Sequence, residues 1–127
     1  MQHNHDKKIL VIEDDRVLRR VIVDNLKLEG FIALEAEDGA IGLVTALSEH
    51  PDLMLVDIVM PKMDGIAMLE KLREDPWGKD AQVIMLTNLN DPEKISYAAQ
   101  KGVKEYLVKA DWDIAGIIEK VKDKIRS

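Results

Sequence analysis

Apolar residues along the chain fall into two alternating patterns. Short continuous apolar runs predict strands that helices cover on both faces. These runs span residues 9–12, 31–34, 53–56, 83–86 and 106–108. Between and after them, apolar residues recur every three or four positions, which predicts helices. The helical segments span residues 15–29, 40–47, 66–72, 92–102 and 114–125. The alternation predicts an α/β domain with a parallel sheet between two layers of helices.

Single residues mark the ends of these elements, and apolar stripes indicate their core-facing sides. Gly30 stops the first helix, while Asp91 and Pro92 are predicted as the N-cap and first residue of the fourth. The stripe of the first helix is Leu18, Ile22 and Leu26, with Val17 and Val21 beside them. That of the second helix is Ala40, Leu43, Val44 and Leu47. The second strand is weaker than the others, which suits a sheet edge in the doubly wound order 2-1-3-4-5.

Composition and charge narrow the class of protein. The 127 residues fit one domain, with a polar N-terminal tail over residues 1–7 and a folded part over residues 8–127. Cysteine is absent, so neither disulfides nor thiolate metal sites are expected. We find no signal peptide and no apolar run near the roughly 20 residues that span a bilayer, so we expect a cytoplasmic protein without membrane contact. The net charge of −6 argues against direct nucleic acid binding. His3 and His5 favour a solvated tail over a metal site.

Charged and hydroxyl residues follow four of the five predicted strands. Ligands of doubly wound sheets bind beyond the carboxyl ends of the strands, near the switch point between the first and third. The residues at these ends are Glu13-Asp14-Asp15, Asp57, Thr87 and Lys109. Because polar residues scattered at random would occupy both rims of the sheet, this clustering on one rim is the main functional signal.

These residue types suit metal-assisted phosphoryl transfer. Clustered carboxylates repel one another and need protons or a cation, and oxygen ligands favour a hard cation such as Mg²⁺. Lys109 supplies a positive charge for a phosphate oxygen or for Asp57, and Thr87 supplies a hydroxyl donor. A carboxylate such as that of Asp57 can act as a nucleophile and form an aspartyl phosphate.

Together these residues resemble the receiver domain of bacterial two-component response regulators. The resemblance extends from about Lys8 to Ser127 and rests on Glu13-Asp14, residues 55–65 (LVDIVMPKMDG), Thr87, Tyr106 and Lys109. It implies a flavodoxin-like (βα)5 fold with helices on both faces of a five-stranded sheet. It also implies a phosphoacceptor switch rather than an enzyme, although one that assists its own phosphorylation and slow dephosphorylation.

The resemblance implies the phosphoacceptor and the metal ligands. Asp57 would accept the phosphoryl group from a histidine kinase or a histidine phosphotransfer protein. Asp14 would bind Mg²⁺ directly, Glu13 directly or through water, and Asp57 and the backbone carbonyl of Val59 would complete the protein ligands. Mn²⁺ is the alternative ion.

The resemblance also implies a switch. Lys109 and Thr87 would contact the phosphoryl group, and Tyr106 would swing inward as Thr87 moves; a Tyr106 that stays fixed at the surface is the alternative. The face of helix four, strand five and helix five would repack and be read by a downstream output protein. The domain would be a monomer or a phosphorylation-dependent dimer.

Four positions bear on loop geometry and rates. Ala110 follows Lys109 where the family usually has proline, often after a cis bond. A cis bond before a non-proline residue costs about 2.5–4 kcal/mol, so the loop is either strained or takes a trans path that displaces Lys109. Asn88 replaces a commonly small residue and would crowd the site or add a hydrogen bond. Val59 and Leu89 cannot orient an attacking water, which predicts a long-lived phosphorylated state.

Other interpretations remain open at this point. A phosphohydrolase using Asp57 would need an acid at the position of Val59. A flavin-binding module would need a hydroxyl- or glycine-rich loop after strand one, where this chain has acids. Nothing in the sequence supports a degenerate receiver. Asp15 is explained equally well as a helix N-terminal residue. Arg16, Arg19 and Arg20 form either a docking patch or a solvated helix face. We expect a stand-alone receiver, with a truncated piece of a larger regulator as the alternative.

Overall fold

The computed structural model describes residues 6–87, 92–103 and 105–126. The predictions for His3, His5, Asn88, Leu89 and an Asp91 N-cap lie outside these ranges. Within them, no helix is both long enough and apolar enough to cross a membrane.

Five strands alternate with five helices, as the apolar patterns predict. The strands are β1 (Lys8–Ile12), β2 (Ile32–Ala36), β3 (Leu53–Asp57), β4 (Val83–Thr87) and β5 (Glu105–Val108). The helices are α1 (Arg16–Leu28), α2 (Gly39–Glu49), α3 (Gly65–Glu74), α4 (Pro92–Gln100) and α5 (Ile114–Arg126). Short 3₁₀ helices span Gly78–Asp80 and Lys109–Asp111. Pro92 opens α4 as predicted, because its missing N–H has no partner to lose in the first turn.

The strands form one parallel sheet in the order β2-β1-β3-β4-β5, which confirms the predicted topology. β1 pairs with both β2 and β3, so β2 lies on one side of β1 and the later strands are added on the other side. The carboxyl ends of β1, β3 and β4 therefore lie side by side, with β5 next to β4. β2 is an edge strand with its first four residues at least partly exposed, in keeping with its weak apolar pattern.

The sheet divides the core into two apolar layers. Alternate β1 residues enter opposite layers because side chains along a strand point to opposite faces. Leu10 and Ile12 pack with buried residues of α2, α3 and α4, while Ile9 and Val11 pack with buried residues of α1 and α5. β3 and β4 are buried along their whole length, so core packing fixes the two strands that end in Asp57 and Thr87.

Two predicted helix faces are partly wrong. In α1 Ile22 and Leu26 are fully buried, but Val17 is 73% exposed. In α2 Val44 is 69% exposed, and the buried residues are Gly39, Gly42 and Ala46. The reason is close packing: a Cβ at Gly42 would lie 2.5 Å from Cδ1 of Ile12. Small residues therefore face the sheet most closely, while Val44 is turned outward and Leu43 packs partly buried against the same core layer.

Candidate functional site

Three acidic side chains meet at the carboxyl rim of the sheet. Glu13 and Asp14 follow β1, and Asp57 is the last residue of β3. Their carboxylates offer one oxygen each that lie within 4.8 Å of one another. Glu13 and Asp57 are buried, whereas Asp14 is exposed. The three acids therefore lie together, as their positions after the strands predict.

Lys109 joins the same cluster from the end of β5. Its Nζ lies 2.5 Å from Oε1 of Glu13 and 3.2 Å from Oδ2 of Asp57. The described residues contain no cis peptide bond, so the bond between Lys109 and Ala110 is trans. Of the two paths predicted for this loop, the chain takes the trans one, and Lys109 still reaches Asp57.

Backbone hydrogen bonds fix the acids in place. The Val59 N–H donates to Oδ1 of Asp57 at 3.2 Å, and the Asp15 N–H donates to Oε2 of Glu13 at 3.0 Å. Oδ1 of Asp15 itself accepts from the N–H groups of Val17 and Leu18, which makes it the N-cap of α1. Asp15 thus has the helix-terminal role that its position allowed.

Burial and mutual repulsion shift the ionisation of the cluster. Burial raises the pKa of Glu13 to about 7, against the opposing effect of the Lys109 ammonium. Burial also raises the pKa of Asp57, with Lys109 again opposing it. Burial alone would lower the pKa of Lys109, but its contacts with Glu13 and Asp57 outweigh this and raise it. The negative charges are therefore undercompensated, and the site favours an added cation or a proton.

The donor set fits a hard divalent cation. Oε1 of Glu13 is buried and accepts no hydrogen bond of ordinary geometry from the described residues, although the Lys109 ammonium lies beside it. All the side-chain atoms that could bind a metal here are carboxylate oxygens, which Mg²⁺ binds together with water and phosphate. The cluster opens into a cleft of about 620 Å³, which leaves room for such a group. Its lining consists of Glu13, Asp14, Asp15, Leu18, Asp57, Val59, Lys109 and Ala110.

Neither Thr87 nor Tyr106 lines this cleft. Thr87 ends β4 and is 1% exposed, and it is paired in register with Val108 of β5. Tyr106 is 44% exposed and borders a small apolar recess together with Ile58 and Ile95. The ring is therefore at the surface in this conformation, with an apolar recess next to it. Movement of either side chain stays a prediction.

The sequence did not predict the roles of two positioning residues, Arg19 and Asp38. Arg19 is neither in an exposed docking patch nor on a solvated face, because it is only 8% exposed. Its Nη1 donates to the Glu13 carbonyl at 2.8 Å and its Nε to Oε1 of Glu35 at 2.9 Å. The sequence signal for the burial of Arg19 is its spacing, since it precedes the buried Val23 and Leu26 by four and seven positions and so lies on the same face of α1.

The second missed residue, Asp38, seats the loop that follows β3. It is 2% exposed, and its Oδ1 caps α2 by accepting from the Ile41 N–H. Next to it, the Gly39 N–H donates to the Met63 carbonyl at 3.0 Å, where a Cβ would lie 2.1 Å from that oxygen. The Asp-Gly pair before a helix was the signal for this arrangement, which anchors the loop carrying Val59.

Known proteins match this chain over most of its length. The family described as response regulator receiver domain matches residues 9–122. The chain is 36% identical over 103 residues to a probable transcriptional regulator, ycf27, of Porphyridium aerugineum, covering 81% of this chain and 42% of that protein. It is 34% identical over 103 residues to the chemotaxis protein CheY of Bacillus subtilis, covering 80% and 84%. The chain spans less than half the length of the first relatives that it matches.

A solved structure supports the fold independently. The CheY-like receiver domain protein of Methanospirillum hungatei superposes with a TM-score of 0.87 at 27% identity, covering 95% of this chain and 94% of that one. The strand order found here and this superposition agree on the same architecture.

Proposed function

The chain belongs to the response regulator receiver domains of two-component signalling, and on that premise we propose that Asp57 is its phosphoacceptor. The donor would be a histidine kinase or a histidine phosphotransfer protein. The observation that carries the proposal is the convergence of Glu13, Asp14 and Lys109 on Asp57 at one rim of the sheet.

Phosphorylation is a nucleophilic displacement by the Asp57 carboxylate. One carboxylate oxygen attacks the phosphorus of the donor phosphohistidine, and the phosphorus–nitrogen bond breaks with its electron pair passing to the imidazole. Asp57 is held for this attack because Oδ1 accepts from the Val59 N–H and Oδ2 lies beside the Lys109 ammonium. Little covalent chemistry is left to the protein beyond positioning and charge compensation, so the domain assists its own phosphorylation without being an enzyme for other substrates.

Glu13, Asp14, Asp57 and the backbone carbonyl of Val59 would hold Mg²⁺, or Mn²⁺ in its place. When bound, the ion offsets the charge of the incoming phosphoryl group. Support comes from the buried Oε1 of Glu13 and from the raised pKa of the neighbouring acids. Lys109 would contact a phosphoryl oxygen from the other side, since its ammonium already lies 3.2 Å from Oδ2 of Asp57.

Thr87 and Tyr106 would carry the signal outward. The added phosphoryl group brings roughly −1.5 to −2 charges, and the Thr87 hydroxyl would turn toward it. Tyr106 would then swing inward; the apolar recess that it borders has room for only about 10 Å³, so Ile58 and Ile95 would have to shift to admit the ring. The α4-β5-α5 face would repack and be read by an output protein, with the domain a monomer or a phosphorylation-dependent dimer in the cytoplasm. No direct contact with nucleic acid or membrane is required.

Loss of the phosphoryl group would be slow. Val59 is 52% exposed at the mouth of the cleft and has no polar atom on its side chain to orient an attacking water. The same residue argues against a phosphohydrolase, which needs a proton donor at that position. Both a stand-alone domain and the receiver part of a longer regulator are compatible with the relatives, since the match covers 84% of one and 42% of another.

The test is chemical phosphorylation followed by intact mass measurement. With a small acyl phosphate and Mg²⁺, we expect one added phosphoryl group in the wild-type chain and none in Asp57→Asn or with a chelator. Asp15→Asn is the matched control, because it changes a neighbouring carboxylate that caps α1 and Asn caps equally well. Uptake that persists in Asp57→Asn, or that needs no divalent ion, would refute the assignment.

A further inference from the structure

A buried arginine lies behind the metal-binding loop. Arg19 is 8% exposed, and burying a guanidinium costs free energy unless its N–H groups are paired. Its partners are the Oε1 of Glu35, at 2.9 Å from Nε, and the Glu13 carbonyl, at 2.8 Å from Nη1. The first contact is a bond to β2. The second reaches the backbone of the loop that carries two of the acids.

The peptide groups around Glu13 are held from two directions. The Glu13 N–H donates to the Ala36 carbonyl of β2 at 3.1 Å, and the Glu13 carbonyl accepts from Arg19. That carbonyl belongs to the peptide that joins Glu13 to Asp14, so its orientation sets the directions in which both side chains leave the loop. The chain beyond it is fixed as well, because Asp15 caps α1 and donates its own N–H to Oε2 of Glu13.

We propose that Arg19 is a positioning residue for the carboxylates of Glu13 and Asp14, acting through the Glu13–Asp14 peptide. It touches neither carboxylate in the contacts above, and its effect is to hold the loop in the shape that a divalent ion requires. This inference rests on the proposed function, since it assumes that these acids bind Mg²⁺. Partners that orient metal ligands typically contribute about 10–100-fold to metal affinity.

The neighbouring Arg20 provides a matched control. Its Nη1 lies 2.6 Å from Oε2 of the same Glu35 carboxylate, and its Nη2 lies 3.7 Å from Asp24. Arg20 is exposed and its described contacts do not include the Glu13 carbonyl. Arg20→Gln therefore removes one positive charge and one ion pair to Glu35, as Arg19→Gln does, but leaves the Glu13–Asp14 peptide held.

The experiment measures the Mg²⁺ dissociation constant by calorimetry. The full chain is used as wild type, Arg19→Gln, Arg19→Lys, Arg20→Gln and Asp14→Asn, at a temperature where circular dichroism shows each to be folded. We expect Arg19→Gln to weaken binding by about tenfold or more, and Arg20→Gln to change it by less than about twofold. Arg19→Lys should fall between them, because an ammonium can reach the carbonyl but lacks the fork that also holds Glu35.

Each outcome decides the inference. A dissociation constant in Arg19→Gln equal to that in Arg20→Gln overturns it, while Asp14→Asn still shows the metal site to be real. If Arg19→Gln does not fold, Arg19→Met decides, because it keeps an unbranched apolar stem but has no donor for the Glu13 carbonyl, and wild-type affinity in that variant overturns the inference. Absence of Mg²⁺ binding in the wild-type chain overturns the metal site and this inference together, which distinguishes it from failure of the inference alone.

Discussion

At the scale of single residues, Glu13 is a buried carboxylate whose ionised form is disfavoured by the fold. It is fully buried, its Oε1 has an ammonium beside it at 2.5 Å, and a second buried carboxylate, Asp57, shares that ammonium. Burial raises the pKa of Glu13 to about 7, well above its ordinary value of 4.5. The folded chain therefore binds a proton at Glu13 over a pH range in which the unfolded chain has lost it.

This difference predicts a pH dependence of stability in the absence of divalent ions. Since the folded state binds more protons than the unfolded state between about pH 4.5 and 7, its contribution to the free energy of unfolding is full below that range and falls as the pH rises through it. The loss at Glu13 should be on the order of 3 kcal/mol across this range. Urea titrations from pH 5 to 8 in a chelator would measure it.

Substitution assigns that dependence to Glu13. In Glu13→Gln the decline with rising pH should become smaller, because glutamine does not ionise, while the raised pKa of Asp57 keeps a remaining part of it. Glu37→Gln is the control, since Glu37 is an exposed acid at the end of the neighbouring strand and should leave the decline in place. A decline that is unchanged in Glu13→Gln would place its source elsewhere.

At the scale of elements, the apolar patterns predict which segments form helices better than which face each helix buries. α2 shows why. Its pattern of Leu43, Val44 and Leu47 predicts a helix correctly, yet Val44 is 69% exposed and Gly42 lies against Ile12. Periodicity records where large apolar residues recur, whereas a helix that lies close to a sheet buries its small residues. That distance depends on the packing of the whole layer and is not written in the local sequence.

The close approach at Gly42 predicts an unusual cost for alanine. Gly→Ala inside a helix ordinarily stabilises by up to about 1 kcal/mol. Here the new Cβ would lie 2.5 Å from Ile12 Cδ1 and 2.9 Å from its Cγ2, and Ile12 is fully buried. We expect Gly42→Ala to lower the free energy of unfolding by about 1–3 kcal/mol because overpacking outweighs propensity.

Val44→Ala on the same helix is the comparison for that measurement. Val44 is largely exposed, and alanine is the better helix former, so its effect should stay within about 0.5 kcal/mol. Chemical denaturation of both variants gives the difference. A neutral Gly42→Ala would mean that α2 can move away from β1 at little cost.

At the scale of the whole molecule, topology explains why the site could be predicted from the sequence in large part. Parallel strands send their carboxyl ends to one rim, so Glu13, Asp14, Asp57 and Lys109 could be placed together from their positions after apolar runs. What could not be predicted is the support behind them. The Arg19 contact to the Glu13 carbonyl and the Asp38 cap depend on how α1 and α2 lie against the loops. Those are tertiary distances, and local spacing gives only a hint of them.

The same topology predicts how phosphorylation at Asp57 would reach a distant surface. Thr87 is buried at the end of β4, between β3, which carries Asp57, and β5, which carries Tyr106. If its hydroxyl moves toward the phosphoryl group, β5 and the helices beside it should change their amide hydrogen exchange. Removing the hydroxyl with Thr87→Val should break that link while β4 keeps its shape.

After treatment with acyl phosphate and Mg²⁺, we expect the wild-type chain to show altered amide hydrogen exchange in α4, β5 and α5. Thr87→Val should take up one phosphoryl group by mass yet show little change in these elements. Equal exchange changes in both proteins would mean that the signal bypasses Thr87 and leaves the rim by another strand.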